Sequence, residues 1–282
     1  MSRYPSFRHV LLLSLLALPL CRYLVYPVTA ALSERLGLVA TELVLLWILS
    51  LSARRTRWSA ADVLLLNATP PRVLAVAAGT AVGAALVVAQ FDLAWAELLR
   101  RAGMIAPASL QRYLLEVQLV RDLPGLAAAL AAVAVAPALC EEAYFRGFAF
   151  TSLASRRGAA TAVVGSAALF AAVHLNPWQL PALFLFGVFL GLLVCWTHSL
   201  YPAIVAHLVN NLLSVAGVNL RAHTGADLLG ASEPLPGPLL AAAMAVLLLG
   251  SAYLRRQSPL LPLVVGESPV AAVGEAEGPS VC

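Results

Sequence analysis

Two adjacent glutamates and an arginine four positions on, Glu141-Glu142-x-x-x-Arg146, stand inside an otherwise apolar run, VAVAPALCEEAYFRGFAF. Two more apolar runs carry a histidine with amides close by. SAALFAAVHLNPW holds His174 and Asn176, and SLYPAIVAHLVNNLLS holds His207, Asn210 and Asn211. Carboxylates and imidazoles move protons, and imidazole and amide N–H groups hold developing negative charge. Within a membrane layer each such group is costly unless paired, and by default it marks a functional site. Helical spacing separates their tasks. Glu142 and Arg146 are i,i+4 with the acid first, the favourable order, so they neutralise each other and leave Glu141 as the unpaired carboxylate. An unpaired carboxylate in a low dielectric suits a general base working near neutral pH. His207 and Asn211 are also i,i+4 and share a face, which makes them a donor pair for an oxyanion.

A purely structural reading stands beside each of these. The Glu142–Arg146 pair supports local structure rather than touching the chemistry. His174 taken alone reads as a core histidine, and Phe170 as packing one turn before it. Cys140 adjoins Glu141, but neighbours on a helix point about 100° apart, so its thiol need not face the same way. Asn176 and Asn210 are at most supports for the site. Gly187 and Gly191 form a small-xxx-small pair, most simply a helix-packing face.

The elements that must position these groups follow from composition. Of 282 residues, 61% are hydrophobic and 11% charged, and the mean hydropathy is +0.87. A soluble domain carries about 25% charged residues, so a soluble globule of this size is excluded. A net charge of +4 without a long basic run excludes a nucleic-acid binder. All 18 basic residues are Arg, which together with the Ala, Leu and Val richness reads as a GC-rich bacterial genome. Counted against the roughly 20 residues that span a bilayer, the apolar runs predict eight spans. These are 9–31, 36–53, 73–90, 123–145, 158–175, 179–198, 201–218 and 237–254, the first kinked near Arg22 and Pro27. The predicted fold is therefore all-α, a polytopic transmembrane helical bundle. The polar side chains fall in the fourth, fifth and seventh spans, and the other spans read as nearly clean. Arg54-Arg55, Arg156-Arg157 and Arg255-Arg256 then share one side, which favours a cytoplasmic N-terminus and C-terminus. Residues 91–122 read as one or two amphipathic helices on the membrane surface, a connector or a lid. Residues 258–282 read as a disordered tail. Counting from the turn at Arg156-Arg157 puts Glu141 and His174 at similar depth on antiparallel helices, where they could share a water. His207 lies only six residues past Tyr201 and therefore falls at a shallower level, a gap that tilt or a broken helix must close.

Three motifs in order, Glu141-Glu142-x-x-x-Arg146, Phe170-x-x-x-His174 and His207-x-x-x-Asn211, each inside a span, resemble the CPBP family of intramembrane proteases. That family comprises the CAAX-prenyl endopeptidases and their bacterial relatives linked to bacteriocin processing. Thr197, Ser199-Leu200 and Pro202 fall where members often carry a T-G-S-L-x-P run, with His198 in place of the usual Gly. The resemblance divides the chain into N-terminal helices with the amphipathic segment (1–122), a protease core (123–218), a loop with the last span (219–257) and the tail (258–282). It implies an endopeptidase that cuts a peptide bond of a membrane-associated protein or peptide. Glu141 and His174 would activate water, His207 and Asn211 would stabilise the oxyanion, and Glu142 and Arg146 would support Glu141. No cofactor is expected. Zinc is the alternative, since two His and a Glu can ligate it, but HExxH is absent and Asn211 stands where another His would help. The implied partners are the substrate and the lipid bilayer, with no nucleic acid, and the implied location is the cell inner membrane as a multi-pass protein. Two other functions carry the same polar residues: a proton-coupled transporter, which predicts repeated halves, and a non-catalytic membrane scaffold. Among substrates, a bacteriocin-like peptide or a C-terminal membrane anchor is favoured over a prenyl protein.

Overall fold

A chain crossing a bilayer must satisfy its backbone groups within each segment, and this one does so with helices. The structure, a computed structural model, describes residues 4–56, 58–227, 230 and 233–257. The expected tail, 258–282, lies outside them. Eight apolar helices run up and down: α1 (Phe7–Ala30), α2 (Glu34–Thr56), α3 (Pro71–Arg101), α4 (Leu123–Arg157), α5 (Ala159–Val173), α6 (Leu180–Thr197), α7 (Tyr201–Thr224) and α8 (Gly237–Arg255). Seven are long and apolar enough to cross a membrane, and α5 is the shorter one. Short helices Ala60–Val63 and Ala108–Glu116 lie in the connections. Among the described residues there is no strand. The all-α bundle and its eight apolar segments are as the sequence predicts, and the protein is a multi-pass membrane protein. Leu12, Leu15, Leu16, Leu248 and Leu249 stay exposed on the outer faces, as lipid-facing side chains do.

The two ends of the bundle are tied separately. At one end Arg156 donates to the Pro5 carbonyl, and the α2–α3 connection binds the α6–α7 turn. There Leu200 N donates to the Leu65 carbonyl, the Asn67 amide to the His198 carbonyl, and the Ser199 hydroxyl to the Asn67 carbonyl. At the other end Arg35 donates to the carbonyls of Val117, Leu119 and Gly125. Asp122 caps α4 by accepting from Gly125 N.

Two boundaries differ from expectation: α4 runs past residue 145 to Arg157, and α3 takes in the first half of the amphipathic segment. The first half of the amphipathic segment is no separate surface helix: α3 runs unbroken to Arg101, because Phe91–Arg100 contains no Pro or Gly to end it. Only Ala108–Glu116 forms a helix of its own. Trp95 then donates to the Pro177 carbonyl and Trp178 to the Met104 carbonyl, so this connection lies across the α5–α6 turn. The first span kinks where expected, through a π-helical stretch Cys21–Val25. A second such stretch, Leu130–Val135, interrupts α4. Each is followed two residues on by a proline, Pro27 and Pro137. A proline cannot donate to the carbonyl four residues back, which frees the preceding turn to widen.

Candidate active site

A third π-helical stretch, Glu142–Ala149, has no proline behind it and holds the site's own residues. Such widened turns occur mostly at functional positions. Here the widened α4 lies against the α2–α3 connection: a Cβ on Gly147 would meet Leu64 Cδ2 at 2.5 Å and Leu64 Cα at 3.2 Å. Only glycine permits that approach.

Glu142 and Arg146 form the expected pair, Nη1 to Oε1 at 2.8 Å, with both side chains 0% exposed. The guanidinium also donates from Nη2 to the Gly187 carbonyl at 3.3 Å and stacks 4.3 Å above the Phe170 ring. The Gly187 carbonyl is reachable because α6 packs closely on α5, with Gly187 against Ala167 and Gly191 against Val163. The small-residue pair is thus the packing face the sequence predicts. Glu142 Oε1 accepts a second bond, from His207 Nδ1 at 2.8 Å. The depth gap between His207 and the carboxylates is closed. The α6–α7 turn is drawn inward by its bonds to Leu65 and Asn67, and Thr197, Ser199 and Leu200 are buried there. The widened turn of α4 reaches across to meet it.

Glu141 is placed differently. Its side chain keeps 13% exposure, with Oε1 3.8 Å from His174 Nε2 and Oε2 3.7 Å from His207 Nε2. These gaps are too long for hydrogen bonds, so both carboxylate oxygens retain acceptor capacity. His174 stands at the C-terminal end of α5, which is only 15 residues long. Pro177 prevents the helix from continuing, and Leu175 turns the chain with φ 51°. A helix of this length rises about 22 Å, short of a full hydrocarbon layer, so its end lies inside the membrane depth. His174 Nδ1 lies 2.7 Å from the Phe170 carbonyl. A carbonyl only accepts, so Nδ1 carries the proton and Nε2 is the atom turned to Glu141. The same logic holds for His207, whose Nδ1 donates to Glu142. Each neutral imidazole therefore presents a bare Nε2, and His207 donates there only when doubly protonated.

Phe170, expected as simple packing, is the hub of these groups. Its ring lies 4.7 Å from that of His174, 6.1 Å from that of His207 and 5.4 Å from that of Phe145. Asn211 is one turn beyond His207 on α7 and half-buried. Its Oδ1 accepts from the Asn210 amide at 3.1 Å, leaving its own amide N–H groups as donors. Asn176 lies apart and shapes the α5–α6 turn, accepting from Trp178 N and donating to Gln179. Cys140 is buried and is not part of the cavity lining.

Beside Glu141 opens a cavity of about 150 Å³, bordered among others by Ser14, Leu18, Glu42, Phe145 and His174. It has room for several waters. Glu42 is the residue the sequence reading passed over when it took α2 as clean. Its side chain and that of Glu141 line the same cavity. The signal was present, since an acid in the run GLVATELVLLW is itself a membrane-embedded ionisable group. A larger cavity, about 420 Å³, lies at the Arg35 end among Glu34, Glu116, Arg121 and Asp122 and contains no histidine or thiol. As for a metal, among the described residues no group of three or more His, Cys, Asp or Glu side chains is arranged to hold one.

Residues 123–213 match the family model described as type II CAAX prenyl endopeptidase Rce1-like. The matched segment spans α4 to α7 and contains Glu141, Glu142, Arg146, His174, His207 and Asn211. No curated protein and no solved structure matches the chain.

Proposed function

We propose, from the match of residues 123–213 to the model described as type II CAAX prenyl endopeptidase Rce1-like, that the chain is a member of that family and hydrolyses its substrate by a glutamate-based mechanism centred on Glu141. The observation that carries this reading is the approach of two imidazole Nε2 atoms to the two oxygens of one carboxylate, at 3.8 and 3.7 Å. A water between Glu141 and His174 gives its proton to Glu141 as its oxygen attacks the peptide carbonyl carbon. His207 and the Asn211 amide then donate to the oxyanion. In this scheme the doubly protonated form of His207 supplies the Nε2–H, flanked by Glu142 at 2.8 Å and Glu141 at 3.7 Å. Arg146 balances Glu142, and the buried set of Glu141, Glu142, Arg146 and protonated His207 is then neutral overall, as a low dielectric demands. When the C–N bond breaks, the proton held by Glu141 passes to the amine nitrogen. No metal takes part in this scheme.

The substrate is a membrane-associated protein or peptide. A bacteriocin-like precursor or a C-terminal membrane anchor suits the bacterial character of the composition better than a prenylated protein. The arginine asymmetry supports a cytoplasmic N-terminus in an inner membrane. The test is co-expression of wild type or Glu141→Gln with candidate substrates encoded nearby, followed by mass spectrometry of the products. Cleavage that disappears in Glu141→Gln is expected, and identical products from both across several authentic partners would sink the reading. Chelator added to the purified enzyme is expected to leave the rate unchanged. Loss of activity restored by zinc would overturn the metal-independent mechanism.

A further inference from the structure

Glu42 has no part in the chemistry above, yet it borders the same cavity as Glu141 and His174. The residue is half-buried on α2, while its Oε2 is sealed from solvent and makes no hydrogen bond. The other acid of that cavity is Glu141. Two such groups can bond to one another only if one of them holds a proton, because two carboxylates only accept. The titratable groups that border the cavity with Glu42 are Cys21 of α1, Glu141 and Tyr144 of α4, and His174 of α5. None carries a fixed positive charge. Arg146 is occupied by Glu142 at 2.8 Å, and His207 can offset only one further anion. An ionised Glu42 would therefore leave the buried set with an uncompensated negative charge.

We propose that Glu42 is a positioning residue of the hydrolytic site: it holds a proton and donates it in a hydrogen bond to Glu141, which fixes that carboxylate between His174 and His207. The inference rests on Glu141 acting as the general base. Glu42 keeps its proton through the cycle. The attacking water's proton goes to Glu141 and then to the departing amine, so the pair ends as it began, with one proton and one negative charge. The bond from Glu42 occupies one acceptor site of Glu141 and leaves the others to the water. It also keeps a second charge out of the cavity that must admit the substrate's carbonyl.

The test uses the full chain in lipid nanodiscs, comparing wild type with Glu42→Gln and Glu42→Leu. Infrared spectroscopy at neutral pH should show a protonated-carboxyl C=O band in wild type that is missing from Glu42→Gln. In cleavage assays Glu42→Leu should lower kcat about ten- to a hundredfold, as removal of an orienting partner does, with KM little changed. Glu42→Gln, whose amide donates without titrating, should recover most of that loss and extend activity to higher pH than wild type tolerates. Identical infrared bands in wild type and Glu42→Gln, or a wild-type kcat and pH profile in Glu42→Leu, would overturn the proposal. If wild type shows no Glu141-dependent cleavage, the protease reading fails separately, and the infrared comparison still decides whether Glu42 holds the proton.

Discussion

Glu141 and Glu142 are chain neighbours with opposite surroundings. Glu142 is fully buried, bound at 2.8 Å by Arg146 and at 2.8 Å by His207. Glu141 is partly open to a cavity, and its nearest imidazole nitrogens stand 3.7 and 3.8 Å away. A rotation of about 100° between successive helical residues is enough to send one carboxylate into the α6–α7 side of the bundle and the other toward α1, α2 and α5. In the proposed mechanism, the difference teaches that the rigid half and the reactive half of the site come from one turn of one helix. The locked carboxylate orients His207 through Nδ1 and anchors α4 to α6 through Arg146. The loosely held one is, in the proposed mechanism, the carboxylate that takes the water's proton. Precise geometry at a reacting group depends on supports whose own positions are fixed by packing and hydrogen bonds.

Exchanging the two halves by mutation should separate rate from stability. Glu141→Gln is expected to lower the cleavage rate by about 10²–10⁴-fold, the usual share of a general base, while its unfolding midpoint in detergent stays that of wild type. Arg146→Leu should do the reverse in kind, costing about 3–5 kcal/mol of stability because Glu142 loses its guanidinium partner in the core and keeps only His207. The double change Glu142→Leu with Arg146→Leu removes both charges and should recover most of that stability. Cleavage should stay lost, since His207 no longer has an acceptor for Nδ1–H. Recovery of activity in the double variant would show that Glu142 does not orient His207.

A smaller effect sharpens the reactive half. Asn211→Ala removes an amide donor one turn from His207 and should lower kcat by about 10²-fold with KM nearly constant, the lower end for one oxyanion donor. An unchanged kcat would confine oxyanion stabilisation to His207.

Much of this comparison could be read from the residues. Periodicity and run length located eight apolar segments because a membrane helix must be apolar over its whole length. Spacing paired Glu142 with Arg146 and set Glu141 apart. Three things escaped. Glu42 stands alone in its run, with no i,i+4 companion, and its partner lies 99 positions along the chain. Only tertiary structure shows which helix it faces. The depth of His207 depends on hydrogen bonds between the α2–α3 connection and the α6–α7 turn, two loops that share no sequence pattern. The proton positions on His174 and His207 depend on acceptors, the Phe170 carbonyl and Glu142, that no motif specifies.

The smallest expected effect concerns His198, which stands where the resembling family carries Gly. Its φ is 51°, in the left-handed region that costs an L-residue with a Cβ about 1–2 kcal/mol and a glycine little. The turn needs that conformation because the His198 carbonyl must face the Asn67 amide, which donates to it at 2.6 Å. That bond belongs to the backbone and survives any side chain. Glycine's role here is therefore conformational, and His198→Gly should leave cleavage unchanged. Its stability should stay within about 1 kcal/mol of wild type, since relief of the backbone cost is offset by loss of a side chain that is only 7% exposed. His198→Val should fall further, by about 1–3 kcal/mol, because a β-branched residue is poorly tolerated at positive φ. Unfolding midpoints of the three proteins, measured beside their cleavage rates, decide the matter. If His198→Gly loses activity while remaining folded, the imidazole itself serves the site, and the α6–α7 turn is part of the reactive half rather than its scaffold.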